Sequence, residues 1–266
     1  MLNTHIATQI YANFSFVPTF GQKKIVEKFS DFLCDADFSR IFIINGYAGT
    51  GKTSLVAAFV SALKELNIKP ILLAPTGRAA KVLAGYASQS AQTVHKRIYR
   101  QNSTTSYESR FSLAPNKEHD ACFIVDEASM IANDGLSGSM FGTGRLLDDL
   151  IQYVYSGQGC RLMLIGDTAQ LPPVGEEESP ALNKDALEGY GLEVYEGMLT
   201  EVVRQLSDSG ILWNATELRR YIAEEDFFTL PSITVEGFPD IKVLPGNELI
   251  EAIDDAYGQV GMDDTI

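Results

Sequence analysis

Cysteine is scarce in this chain. Cys34, Cys122 and Cys160 are the only three in 266 residues, and they stand far apart. Their spacing fits no metal-ligand pattern and gives no disulfide framework, so reduced thiols in a cytoplasmic setting are the simplest expectation. No apolar run approaches the roughly 18 residues that a membrane span needs. The opening residues, MLNTHIATQI, lack a basic segment followed by an apolar one, so no secretory leader is expected. Positive charge is also short, with 21 Lys+Arg against 35 Asp+Glu and a net charge of −14. Such a deficit ordinarily argues against a nucleic-acid partner, but its distribution matters more. Residues 1–170 carry 16 basic and 14 acidic side chains, whereas residues 171–266 carry 5 and 21. Between Arg78 and Arg110 six basic residues meet a single acid, Glu108, which leaves room for a local basic face. Internal repeats and low-complexity tracts are absent, and the length suits one domain or two.

What the chain does have is concentrated at residues 41–53, IFIINGYAGTGKT. The apolar run Ile41-Phe42-Ile43-Ile44 predicts a buried strand. From Gly46 onward, the spacing Gly46-x-x-x-x-Gly51-Lys52-Thr53 is the phosphate-binding P-loop pattern. Glycines let the backbone fold tightly around an anion, so that successive N–H groups point at phosphates. A helix from Ser54 to about Leu66 aims its positive N-terminal end at the same place. In such a loop Lys52 reaches the β- and γ-phosphates and the Thr53 hydroxyl holds Mg²⁺. A glycine-rich turn matching by chance is the competing reading. The strand before, the helix after and the complete motif argue against it. No Asn-Lys-x-Asp stretch for guanine is present, so ATP is expected over GTP.

Upstream, Thr19-Phe20-Gly21-Gln22 opens a helical pattern with Ile25, Phe29, Phe32 and Leu33 on one face. The Gln22 amide donates and accepts at once, as an adenine edge requires; taken alone, a surface helix residue is the better account. Downstream, PILLA (70–74) reads as a second buried strand, and PTGRAA (75–80) turns into a helix reaching about Tyr86. Thr93-Val94-His95-Lys96 follows. Strand ends carrying Thr, Arg, His and Lys suit phosphate and sugar contacts along a nucleic-acid backbone; from these residues alone, an ordinary strand-to-helix loop is favoured. RIYR (97–100) and RFSL (110–113) flank a polar stretch at 102–106, which predicts a hairpin standing out from the main sheet, or else a loose loop.

ACFIVDE (121–127) is a buried strand ending in two acids. Asp126 is placed for the Mg²⁺ shell and Glu127 for polarising an attacking water. Glu127 also favours hydrolysis, since a kinase has no water to activate. Residues 145–155 have helical periodicity, and CRLMLI (160–165) is the next strand. It runs into GDTAQLPPVG (166–175), which puts Gln170 past the strand's C-terminal end, the edge where α/β sheets hold ligands. An amide there can sense a γ-phosphate. Arg204, in LTEVVRQ (199–205), can supply a cation for that phosphate or make a surface salt bridge. Residues 211–222 and about 247–257 read as helices, separated by acidic, turn-rich sequence.

Taken in order, GYAGTGKT, APTGRAA, TVHK, IVDEASM, GDTAQLPPVG and LTEVVRQ resemble the motifs of superfamily 1 DNA helicases. The branch they look most like is the RecD-like and Dda-like one, which moves 5′ to 3′ on single-stranded DNA. The resemblance runs from about residue 19 to about residue 222, and GDTAQLPPVG is its most specific piece. It implies an α/β, RecA-like P-loop NTPase fold, with a mostly parallel central sheet, helices on both faces and a small hairpin insertion at 97–120. Residues 1–266 would form a single motor domain. ATP and Mg²⁺ are the implied cofactors, and single-stranded DNA is the implied partner. Gln22 would contact adenine. Gly46, Ala48, Gly49, Thr50, Gly51, Lys52, Thr53 and Ser54 would surround the phosphates, with Thr53 and Asp126 on the metal. Lys52, Glu127, Gln170 and Arg204 would carry the chemistry. Pro75, Thr76, Arg78 and His95 would lie along DNA, and the insertion would be the strand-separating pin. Such helicases have a second RecA-like domain with further DNA contacts and another arginine facing the nucleotide. No counterpart stands in these 266 residues, so the expectation is a first motor domain cut from a longer protein and weakly active alone. A P-loop ATPase of another class, with no nucleic acid, is the alternative, and GDTAQLPPV argues against it.

Overall fold

The apolar runs become the inner strands of a sheet because each can be buried on both faces. The computed structural model describes residues 2–101, 111–133, 140–203, 209–224 and 228–260. The chain divides into two units, residues 1–204 and residues 205–266. In order, the first unit contains α1 (Leu2–Ala12), α2 (Phe20–Cys34), β1 (Arg40–Gly46), α3 (Lys52–Glu65), β2 (Lys69–Ala74), α4 (Gly77–Ala87), β3 (Ala91–Thr93) and α5 (Val94–Ile98). It continues with β4 (Tyr99–Gln101), β5 (Phe111–Leu113), β6 (Ala121–Val125), α6 (Leu146–Tyr155), β7 (Arg161–Gly166), α7 (Lys184–Glu188) and β8 (Glu193–Leu199).

Six of these strands form one sheet in the order β3-β2-β6-β7-β1-β8, and every pairing in it is parallel. Parallel sheets need helices over both faces, and their inner strands are therefore continuously apolar. Alternate residues serve alternate faces. Ile41 and Ile43 of β1 join Phe123, Val125, Leu162 and Leu164 in a core that includes Val94 of α5, Leu150 of α6 and Leu187 of α7. Phe42 and Ile44 join Ile124, Met163 and Ile165 in the opposite core, with Ile25 and Phe29 of α2, Phe59 of α3 and Leu83 of α4. Phe29 sits at the centre of that second core, with ring centroids 4.2 Å from Phe59 and 5.5 Å from Phe42.

The architecture is thus the expected α/β sheet with helices on both faces. The insertion differs in detail. β4 and β5 pair antiparallel, but Arg97 and Ile98 belong to α5 rather than to a strand. The cause is local: the Thr93 hydroxyl accepts from the backbone N–H of Lys96 and caps one helical turn before the chain straightens. The polar stretch at 102–106 lies outside the described residues. In the second unit, α8 (Gly210–Ala223) is followed by α9 (Leu249–Val260). Asp240 fixes the start of α8, accepting from the Ser209 hydroxyl and the Gly210 N–H, both at 2.8 Å. Among the described residues, no helix is long and apolar enough to cross a membrane.

Candidate active site

β6, β7 and β1 are neighbours in the sheet although they are distant in sequence. Their C-terminal ends therefore bring three loops side by side, as expected of the ligand edge of an α/β sheet. The first loop, residues 47–51, joins β1 to α3. It turns through Gly49 and Gly51, whose φ angles are 77° and 82°. Gly51 precedes the first turn of α3, and no side chain caps that helix start, so its N–H groups face the loop. A Cβ on Gly51 would stand 2.6 Å from the Gln22 Nε2.

Gln22 explains how the loop is held. It is fully buried, which overturns the surface-helix reading. Its Oε1 accepts from the Thr19 N–H at 3.0 Å, while the Thr19 hydroxyl accepts from the Gln22 N–H at 3.2 Å; together these form a capping box at the start of α2. The Nε2 donates to the carbonyls of Gly51 and Thr50 at 3.4 and 3.5 Å. The amide thus faces the back of the loop. Thr50 is also buried, and its hydroxyl donates to the Tyr47 carbonyl at 2.7 Å. Lys52 curls over the loop: its ammonium donates to the carbonyls of Gly46 and Tyr47 and stands 3.8 Å from the buried carboxylate of Asp167.

The second loop begins at Asp126, whose N–H donates to the Leu73 carbonyl of β2 at 3.0 Å. One carboxylate oxygen of Asp126 accepts from the Glu127 N–H at 3.0 Å. The other accepts from the Tyr86 hydroxyl of α4, and Tyr86 has its pKa raised by burial first and by Asp126 second. Glu127 adopts a left-handed backbone, φ 54°, which turns its side chain out of the strand direction. Burial, and then the neighbouring Asp126, raise the Glu127 pKa; Gln170 and Lys52 pull it partly back. The third loop supplies Gln170, whose Nε2 donates to Glu127 at 3.4 Å and whose Oε1 accepts from the Ser129 hydroxyl at 3.0 Å.

A cleft of about 360 Å³ opens between these loops, lined by Ala48, Gly49, Gly51, Lys52, Thr53, Ser54, Glu127, Asp167 and Gln170 together with Phe16, Tyr47 and Val203. That volume is in the range of small-ligand sites. Gln22, Gly46, Thr50 and Asp126 stand behind or beside this lining. Pro75, Thr76, Arg78 and His95 do not line it. Thr76 caps α4, accepting from the Ala79 N–H at 3.2 Å, and Arg78 is exposed in that first turn. His95 is half-buried on α5, its ring 5.2 Å from Phe141 and 5.7 Å from Tyr99, and burial lowers its pKa. Arg204 lies outside the described residues. Ser129 and Asp167 stand within the IVDEASM and GDTAQLPPVG stretches, but residue type and spacing alone mark no role for either. Tyr86 and Phe16 stand in no motif of the sequence.

A family model described as an AAA domain matches residues 21–226. The chain belongs to the AAA domain family. This AAA domain is 31% identical to the ATP-dependent RecD2 DNA helicase of Deinococcus radiodurans over 164 residues, 59% of the chain and 20% of that protein. It is also 31% identical to the ATP-dependent DNA helicase dda of Enterobacteria phage T4 over 181 residues, 66% of the chain and 37% of that protein. Among solved structures, a Pif1 helicase from Candida albicans is 18% identical with a TM-score of 0.49, over 92% of this chain and 55% of that one. A Pif1 helicase from Bacteroides in complex with ADP-AlF3 and ssDNA is 19% identical with a TM-score of 0.46, over 92% and 58%. The AAA domain is thus similar to part of each of these two helicases. The chain spans about a fifth to two fifths of the length of these two curated relatives.

Proposed function

We propose that this AAA domain binds and hydrolyses ATP with Mg²⁺ and contacts single-stranded DNA, as the first motor domain of a helicase of 5′-to-3′ polarity. The observation that carries the reading is the meeting of Lys52, Glu127 and Gln170 in one cleft at the head of α3. The residues present suit the two groups. The loop offers positive-φ glycines and an uncapped helix start for an anion. Thr53 and Asp126 offer hard oxygen donors, and Mg²⁺ is ordinarily held by one or two carboxylates shared with substrate phosphates and water. When bound, the metal would neutralise charge developing between the β- and γ-phosphates.

The protein's own groups do the rest. Lys52, now resting on carbonyls, would exchange these for phosphate oxygens. Glu127 would take a proton from the attacking water as the bond from the γ-phosphorus to the β-bridging oxygen breaks and ADP leaves. Gln170, bonded to Glu127, would sense the γ-phosphate, and Arg204 would add a cation. Gln22 would hold the loop from behind; an adenine contact would require its amide to leave the carbonyls of Thr50 and Gly51. Pro75, Thr76, Arg78 and His95 would follow the DNA backbone. In this reading a second RecA-like domain closes the cleft, and residues 1–266 alone bind nucleotide but do not unwind a duplex.

Turnover with and without single-stranded DNA tests the proposal. Lys52→Ala should weaken both binding and hydrolysis. Glu127→Gln should spare binding and slow hydrolysis about a hundredfold or more. Near-normal turnover in Glu127→Gln would sink its assigned role. A rate indifferent to DNA in a chain carrying both motor domains would favour an ATPase with no nucleic-acid substrate.

A further inference from the structure

Tyr86 lies ten residues from Thr76, toward the far end of α4, and nothing in its sequence surroundings marks it. Side chains on a helix lean back toward the N-terminus, and α4 begins at the C-terminal edge of the sheet. The Tyr86 hydroxyl donates to Asp126, the residue that follows β6. The second oxygen of the same carboxylate is held by the Glu127 N–H at 3.0 Å. Each oxygen thus has one donor, which fixes the plane of the carboxylate, and each keeps acceptor capacity for a further partner.

The support behind Tyr86 is firm. Ala80, Leu83 and Ala87 bury one face of α4, and the Gln89 amide anchors the turn after the helix to the Pro70 carbonyl at 2.6 Å. The opposite end of this helix carries Thr76 and Arg78.

We propose that Tyr86 is a positioning residue: its hydroxyl fixes the Asp126 carboxylate for Mg²⁺ and ties that carboxylate to the helix that begins at Thr76 and Arg78. This rests on the Mg²⁺-nucleotide reading above. Groups bonded to metal ligands orient them and are commonly worth tenfold or more in metal affinity.

The test is binding rather than turnover. A fluorescent ADP analogue is titrated onto the 266-residue chain at fixed Mg²⁺ concentrations and in EDTA. Tyr86→Phe deletes one oxygen and keeps the ring, so the fold should persist. The Mg²⁺ concentration at half-maximal enhancement of binding should rise about tenfold, with affinity in EDTA unchanged. In an Asp126→Asn background the same substitution should have no further effect. An unchanged Mg²⁺ midpoint in Tyr86→Phe overturns the proposal, and so does a lower one. An equal loss of affinity with and without Mg²⁺ also overturns it, because that marks a packing role. Absence of nucleotide binding by the parent chain would overturn the underlying reading as well, and so separates the two failures.

Discussion

Glu127 combines two costs in one position. Its left-handed backbone, φ 54°, is worth roughly 1–3 kcal/mol of strain in a residue that is not glycine, and burial disfavours its charge. The sign of the second cost can be worked out. A raised carboxyl pKa means that the folded chain holds this proton more tightly than the unfolded one. The associated stability is present below the unfolded pKa and lost as pH rises through the folded one. In its ionised form the group is therefore a burden, and Glu127→Gln should raise Tm at pH 7. That advantage should fade below the ordinary glutamate pKa of about 4.3, as melting curves at several pH values would show. A lower Tm at pH 7 would mean that Lys52 and Gln170 more than compensate the charge. Hydrolysis that needs this carboxylate ionised should fail on acidification at a higher pH than an unperturbed glutamate would set. Gly51 is constrained differently. A methyl group there meets the Gln22 amide at 2.6 Å and must occupy a left-handed backbone. Gly51→Ala should cost about 1–2 kcal/mol from the backbone alone and weaken nucleotide binding; truncating Gln22 in the same chain would relieve only the contact.

Among the elements, α2 matters most to the site because its start is built from the same residue that braces the P-loop. Thr19→Ala removes the hydroxyl of the capping box, a loss of about 1 kcal/mol. It should also loosen Gln22, so amide exchange at Thr50 and Gly51 should quicken along with that of the first turn of α2. Exchange that quickens only in α2 would show that the brace does not need the cap. The apolar face of this helix was plain in the sequence, and Ile25, Phe29, Phe32 and Leu33 are all buried. The destination of Gln22 was not, because a polar residue in the first turn reads the same whether its amide meets solvent or a neighbouring loop. Strands behaved alike. β1, β2, β6 and β7 were visible as apolar runs because both their faces are covered. β8 was missed: Glu193, Glu196 and Met198 are exposed along it, as suits an edge strand, and no continuous run marks it. α1 was missed because only Ile6 and Ile10 are buried. The P-loop and the Asp126-Glu127 pair were legible because their chemistry dictates residue type at fixed spacing. Tyr86 was not, since any helix can carry a tyrosine and only the tertiary fold decides what its hydroxyl meets.

For the molecule as a whole, the uneven charge bears on the proposed DNA contact. With the acidic excess confined to residues 171–266, binding to single strands should weaken with salt along a shallow slope that reflects few phosphates. Arg78→Ala and His95→Ala should raise the DNA concentration needed for half-maximal stimulation while leaving ATP affinity unchanged. A DNA titration unaltered in both variants would remove those residues from the interface. The sheet order has a different consequence. β1 lies between β7 and β8, with Ile41 opposite Leu162 on one side and Val194 on the other. During synthesis the strand that ends in the P-loop is among the earliest made, and both of its partners are among the latest. At translation rates of about 5–20 residues per second, that strand waits on the order of 10 s for its neighbours. Until then the apolar run Ile41–Ile44 has neither of its sheet neighbours to pair with. The P-loop is thus the first of the three cleft loops to be made, and the strands that flank β1 are the last two of the sheet.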